Sequence, residues 1–207
     1  TYFSSAGTDY LDVPPISTPS ANWDLGNNSF TLDFWIRFGT VGAGNPLYAL
    51  GGGGPTGWFV TYTGSAWYFM NYPSGATNYL VINRPATVVA NTWYHIAFVR
   101  SGNTWYIFQN GTQLGATVTD RATILPPEGN LRVGYGNANT WMDEVRISKG
   151  IARWTSNFTP PTAPYTAEED YTFVWNGNPD PNPLDGQTVN PAAVSYASGG
   201  IKSGEVT

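Results

Sequence analysis

The chain has 207 residues, of which 15% are aromatic and only 11% charged, with 24 Gly and 16 Pro. Aromatic content this high buries enough surface to offset chain entropy, which excludes a disordered chain, and frequent turn formers between short apolar runs favour strands over helices. A net charge of −5 without cysteine excludes the basic stripe of a nucleic-acid binder, and with it disulfides, thiol chemistry and Cys-held zinc.

In chain order, residues 2–4 and 9–13 read as short N-terminal strands. Residues 30–38 are the clearest strand, with Phe30, Leu32, Phe34, Ile36 and Phe38 on one face and Thr31, Asp33, Trp35 and Arg37 on the other. A one-residue slip would bury Asp33 and Arg37, so the period of two fixes the register and predicts a polar or partner-facing second face. Residues 46–50 form the next strand, and Gly51 to Gly54 before Pro55 are expected to break the chain. A hairpin follows over 57–63 and 66–72, then a strand at 78–83. Strands at 92–100 and 103–109 come next. Asn110-Gly111 predicts a type I′ turn, whose two central residues need positive φ, leading into a strand at 113–119. Strands at 131–136 and 141–148 and one helical turn at 149–154 end the count. About a dozen strands at 8–12-residue spacing predict an all-β sandwich.

Composition shifts after the run T-P-P-T-A-P at 159–164. Residues 166–207 hold one short apolar strand at 171–175 and little else to bury. The chain thus divides into a β-sandwich domain over 1–165 and a C-terminal arm over 166–207, expected to pack on a partner or on the parent domain. No apolar run approaches the ~20 residues of a membrane-spanning helix, so no membrane insertion is expected. The sequence opens at Thr1 with no basic-apolar leader, and a targeting segment is expected to be absent or removed.

The runs F-T-L-D-F-W-I-R-F at 30–38, W-Y-H-I-A-F-V-R-S-G-N-T-W-Y-I-F-Q-N-G at 93–111 and W-M-D-E-V-R-I-S-K-G-I-A-R-W at 141–154 resemble laminin-G-like domains of the concanavalin A-like lectin/glucanase superfamily. The likeness covers about residues 1–165, and the closing run R-I-S-K-G-I-A-R-W-T-S-N-F-T-P-P-T-A-P-Y is similar to forms found in bacteriophage particle proteins. It implies an antiparallel jelly roll of two packed sheets that binds glycans or protein partners, often with calcium. It further implies a virion-surface or extracellular location and leaves room for a homo-oligomer.

Simple alternation over 141–148 puts Asp143 on the apolar face of Val145 and Ile147, with Glu144, Arg146 and Ser148 opposite. A buried carboxylate must be paired, hydrogen-bonded or metal-bound. The resemblance implies a structural Ca²⁺ held by Asp143, Asp9 and carbonyls around Gly7, although a carboxylate satisfied by backbone N–H groups at a strand end is the commoner arrangement. His95, the single histidine, is expected to be structural. No E-x-D-x-x-E motif occurs, and Asp143 and Glu144 as neighbours should face apart, so the paired acids of a retaining glycosidase are not expected and neither is enzymatic activity. The aromatic residues exceed what one core absorbs. Trp35, Trp67, Tyr72, Tyr79 and Trp141 are the candidates for a ligand-binding surface, although burial in the core is the commoner fate of any one of them. The function expected is recognition or attachment at a surface, through glycan or another virion protein. Purely structural decoration and glycan hydrolysis are the alternatives.

Overall fold

Phe30–Phe38 forms the strand its alternation specifies and lies inside one of two antiparallel sheets. The computed structural model describes residues 2–3, 10–13, 23–41, 47–52, 56–72, 79–126, 130–136, 139–165 and 173–175. Its strands are β1 (Tyr2–Phe3), β2 (Leu11–Val13), β3 (Phe30–Phe38), β4 (Leu47–Gly52), β5 (Gly57–Tyr62), β6 (Ala66–Tyr72) and β7 (Tyr79–Pro85). They continue with β8 (Trp93–Ser101), β9 (Thr104–Gln109), β10 (Thr112–Gln113), β11 (Val118–Thr119), β12 (Leu131–Gly136), β13 (Thr140–Lys149) and β14 (Phe173–Trp175). Sheet A runs β1-β13-β3-β8-β9-β10, with β11 also on β9 and β14 also on β13, and sheet B runs β2-β12-β4-β5-β6-β7. The architecture is the two-sheet jelly-roll sandwich expected.

The core lies between the sheets. Phe30, Leu32, Phe34 and Ile36 are fully buried, and the two phenylalanines meet rings of sheet B: Phe34 packs edge-on to Trp67 at 5.9 Å and Phe30 lies 5.7 Å from Phe69. Buried tryptophans also need a partner for their N–H; Trp58 donates to the Trp23 carbonyl and Trp105 to that of Asp120. Asn110 and Gly111 adopt φ of 51° and 74°, as the type I′ turn demands. A Cβ on Gly111 would stand 1.9 Å from the Phe158 carbonyl oxygen, so close backbone approach adds a second reason for glycine there.

Several local expectations are overturned. The break does not start at Gly51: Gly51 and Gly52 are the last residues of β4 and pair with Arg132 and Leu131 on β12, and Gly51 also with Phe59 on β5. The strand expected over 113–119 splits into β10 and β11, with Gly115 at φ +64° between them. No helical turn forms at 149–154. Gly150 turns the chain at φ +87°, and residues 151–165 then run without helix or strand as a strap across the outer face of sheet A.

That strap also corrects the reading of β3. Thr31 and Asp33 face away from the inter-sheet core, yet both are fully buried. Thr31 Oγ1 donates to the Ile151 carbonyl and accepts the Arg153 N–H, each at 2.9 Å. Trp154 and Phe158 stack 3.9 Å apart and pack on Ala97, Val99 and Phe108 as a second, smaller core. Period two assigned the face correctly; what it cannot show is that another part of the chain covers it. Beyond the strap, β14 pairs with Val145–Ile147 of β13, and the rest of 166–207 lies outside the described residues.

Candidate functional site

The outer face of sheet A is built by register. Arg37 on β3 stands between Trp93 on β8 and Trp141 on β13, and Trp35 stands between His95 and Asp143. Residues directly opposite on antiparallel strands share a face, so three tryptophans and a carboxylate gather on the part of the sheet that the strap leaves uncovered. The Arg37 guanidinium sits 4.4 Å from the Trp141 ring centre and donates to Asn91 Oδ1 at 2.9 Å.

A bulge completes the group. Pairing of β13 with β3 shifts between Asp143 and Arg146, and Glu144 takes φ +50°, a left-handed conformation that costs a residue with a side chain about 1 kcal/mol or more. The extra residue reverses the alternation. Asp143 therefore lies across from Trp35 on the outer face, while Val145 and Ile147 stay in the core. Both expectations for these acids are corrected together. Asp143 does not share the Val145 face, and Asp143 and Glu144 do not face apart but line one hollow.

That hollow is an open groove of about 460 Å³ lined by Trp35, Trp93, Asp143, Glu144 and the strap segment 161–164. Trp93 is 41% exposed, unusual for so large an apolar side chain. Trp35 is half-buried, its ring set edge-on to His95 at 5.3 Å. Asp143 Oδ1 accepts the Glu144 N–H at 3.1 Å, and Glu144 Oε2 accepts the Tyr165 N–H at 2.6 Å. Burial pushes both carboxyls above their ordinary ranges. For Glu144 the Tyr165 N–H opposes that rise and the Asp143 charge adds to it.

Behind the groove lies a buried polar cluster that sequence reasoning missed. Asp33 takes Arg146 through two hydrogen bonds of 3.0 and 2.9 Å, and its Oδ2 also accepts the Tyr165 hydroxyl at 2.5 Å. His95 Nε2 lies 3.3 Å from that oxygen and 3.2 Å from the Tyr165 hydroxyl. A carboxylate only accepts, so Nε2 is the protonated nitrogen in the first contact. Burial alone would raise the Asp33 carboxyl, but the His95 hydrogen bond and the Arg146 charge outweigh it and hold the group below its ordinary value. Burial and the Asp33 charge push the Tyr165 phenol well up. The cluster pins the strap, and the strap forms one wall of the groove.

The other candidates scatter. Trp67 is fully buried, packed against Phe34, Tyr62 and Phe98, so it offers no face to a ligand and its assignment is corrected. Tyr72 lies half-buried on the outer face of sheet B, stacked on Phe59 at 5.0 Å, away from the groove. The Tyr79 side chain, Asp9 and Gly7 lie outside the described residues. Trp141 is half-buried beside Arg37. Trp93 was not anticipated; its same-face relation to Trp35 depends on the β3–β8 register, which local sequence does not carry. Calcium needs six to eight oxygens. Among the described residues no three His, Asp or Glu side chains gather, and Asp143 alone of the expected ligands is placed, so the described residues by themselves do not assemble such a shell.

A family model described as the concanavalin A-like lectin/glucanases superfamily matches residues 5–153. Among solved structures, a candidate carbohydrate-binding protein from Bacteroides ovatus superposes with a TM-score of 0.55 at 16% identity, over 81% of this chain and 48% of that one. The binding domain of Paraclostridial Mosquitocidal Protein 1 gives a TM-score of 0.55 at 13% identity, over 72% of this chain and 39% of that one. The chain therefore spans less than half of either. At such identities the likeness shows the fold alone. No curated protein matches the sequence significantly.

Proposed function

The chain belongs to the concanavalin A-like lectin/glucanases superfamily, and from that premise we propose that it is a non-catalytic recognition module whose outer sheet-A groove binds a glycan. One observation carries this reading: an exposed Trp93 beside Trp35, above two carboxylates, in a groove of about 460 Å³. Indole faces stack on the C–H faces of sugars, and carboxylates accept sugar hydroxyls through charge-assisted hydrogen bonds. The volume falls within the range of small-molecule sites. The solved structures of similar fold described as carbohydrate-binding and as a binding domain support the class. The proposed setting is a virion or other extracellular surface, supported by the likeness of residues 146–165 to bacteriophage particle proteins. A glycan array probed with the full chain, Trp93→Ala and Trp35→Ala tests the reading. Binding that weakens in both variants supports it, and a silent array rejects it.

One observation favours a second reading, glycan hydrolysis. Asp143 and Glu144 line the same groove, and burial raises both carboxyls above their ordinary values, the direction a general acid requires. Against it, consecutive residues approach a ligand from one side, whereas paired acids must flank the scissile bond. Release of reducing ends from any array-positive glycan, lost in Glu144→Gln, would establish hydrolysis in place of binding alone.

A further inference from the structure

The charge of the groove narrows the ligand. Building on the glycan reading above, we propose that the groove accepts uncharged glycans and turns away anionic ones, those carrying sialic acid, uronic acid or sulfate. Among the described residues its lining supplies two carboxylates, Asp143 and Glu144, and no cation. Of the two arginines on the same sheet face, Arg146 is charge-paired with Asp33, and Arg37, opposite Trp93, lies over Trp141 and donates to Asn91 without lining the groove. An anionic group seated against Trp35 would therefore lie beside the like charge of Asp143 and Glu144, with no cation among the described lining residues. In a hollow partly shielded from water such a contact is strongly unfavourable.

A neutral sugar meets the opposite situation. One oxygen of each carboxylate is held by a backbone N–H, which fixes the group, and a carboxylate with two oxygens keeps acceptor capacity for a ligand hydroxyl. The arrangement depends on the bulge. Regular alternation would send these consecutive acids to opposite faces, and only the left-handed Glu144 brings both into one groove. Backbone strain of this kind concentrates at functional positions, and here it concentrates acceptor groups beside the two indoles.

The test compares matched pairs on the full chain: lactose and N-acetyllactosamine against their sialylated and sulfated forms, with Asp143→Asn as the variant. Asparagine keeps the Oδ1 acceptor for the Glu144 N–H, so the bulge is retained. The expected result is at least ~10-fold tighter binding of the neutral member of a pair, equivalent to about 1.4 kcal/mol, and a clear narrowing of that ratio in Asp143→Asn. Equal or tighter binding of anionic members overturns the charge inference and leaves the glycan reading standing. Neutral preference that persists unchanged in both Asp143→Asn and Glu144→Gln also overturns it, since charge would not be the cause. Absence of binding to any glycan rejects both.

Discussion

Arg146 stands directly across from Asp33 in the β13–β3 register and closes on it with two hydrogen bonds, Nε to Oδ1 at 3.0 Å and a terminal nitrogen to Oδ2 at 2.9 Å. Tyr165, 132 residues along the chain from Asp33, adds its hydroxyl to the same carboxylate, and its ring lies 3.8 Å from the Arg146 guanidinium carbon. A planar guanidinium bound at both forks and capped by an aromatic ring is fixed in position more firmly than an ammonium could be. This junction ties together sheet A and the strap that walls the groove.

Asp33→Ala should therefore be among the most damaging single substitutions on this face. It leaves Arg146, only 8% exposed, without its counter-charge, and breaking a buried pair from one side costs about 3–5 kcal/mol. Chemical denaturation should show a much lower midpoint at unchanged slope. A loss below about 1 kcal/mol, the level of an exposed ion pair, would show that the pair is not buried in solution.

Tyr165→Phe is a milder probe of the same junction. The ring over Arg146 is kept and only the hydroxyl is lost, which leaves Asp33 with its Arg146 and His95 partners. The expected cost is about 1.5–3 kcal/mol, that of one buried hydrogen bond to a charged group. Proteolysis within 151–165 should quicken because the strap has lost an anchor. Unchanged proteolysis would mean that Thr31, Trp154 and Phe158 hold the strap unaided.

The stability of the domain should pass through a maximum on the acid side. Asp143 and Glu144 have folded values raised above 3.8 and 4.5, so the folded state holds those protons more tightly. Their ionisation opposes folding at higher pH, and the penalty is relieved as pH falls through the raised values. Asp33 has the opposite sign. Its folded value lies below 3.8, so its contribution is present above that pH and is lost as pH falls through the lowered value. Denaturation midpoints should rise on mild acidification and then collapse. In a double Asp143→Asn, Glu144→Gln variant the rise should vanish while the collapse remains. A collapse that moves with that variant would mean that Asp33 does not govern the acid limb.

The sandwich was legible because its determinants are local. Nine residues of strict alternation define β3, and Asn110-Gly111 defines its turn by chemistry that few other pairs supply. The groove was half legible. Trp35 and Asp143 could be singled out as a ring and a carboxylate, but Trp93 joins them only through pairing of strands more than fifty residues apart. The bulge at Glu144 carried no signal either: a left-handed position usually announces itself through Gly or Asn, and glutamate does not. Asp33 was misjudged for a related reason, since alternation assigns a face without saying what will cover it.

Trp67 and Trp93 separate packing from recognition, and the two alanine variants should diverge. Trp67 is fully buried among Phe34, Tyr62 and Phe98, so its removal opens a cavity that costs about 3–5 kcal/mol. Glycan binding by Trp67→Ala should be lost only in proportion to the unfolded fraction. Trp93, 41% exposed at the groove, contributes little to the core, and Trp93→Ala should leave the denaturation midpoint within about 0.5 kcal/mol of the parent. Its affinity for an array-positive glycan should nevertheless fall ~5- to 10-fold, the scale of about 1 kcal/mol for one lost aromatic contact. Titration calorimetry beside denaturation distinguishes the two effects. If Trp93→Ala binds as the parent does, the groove at β3 and β8 is not the recognition surface, whatever the array shows for the intact chain.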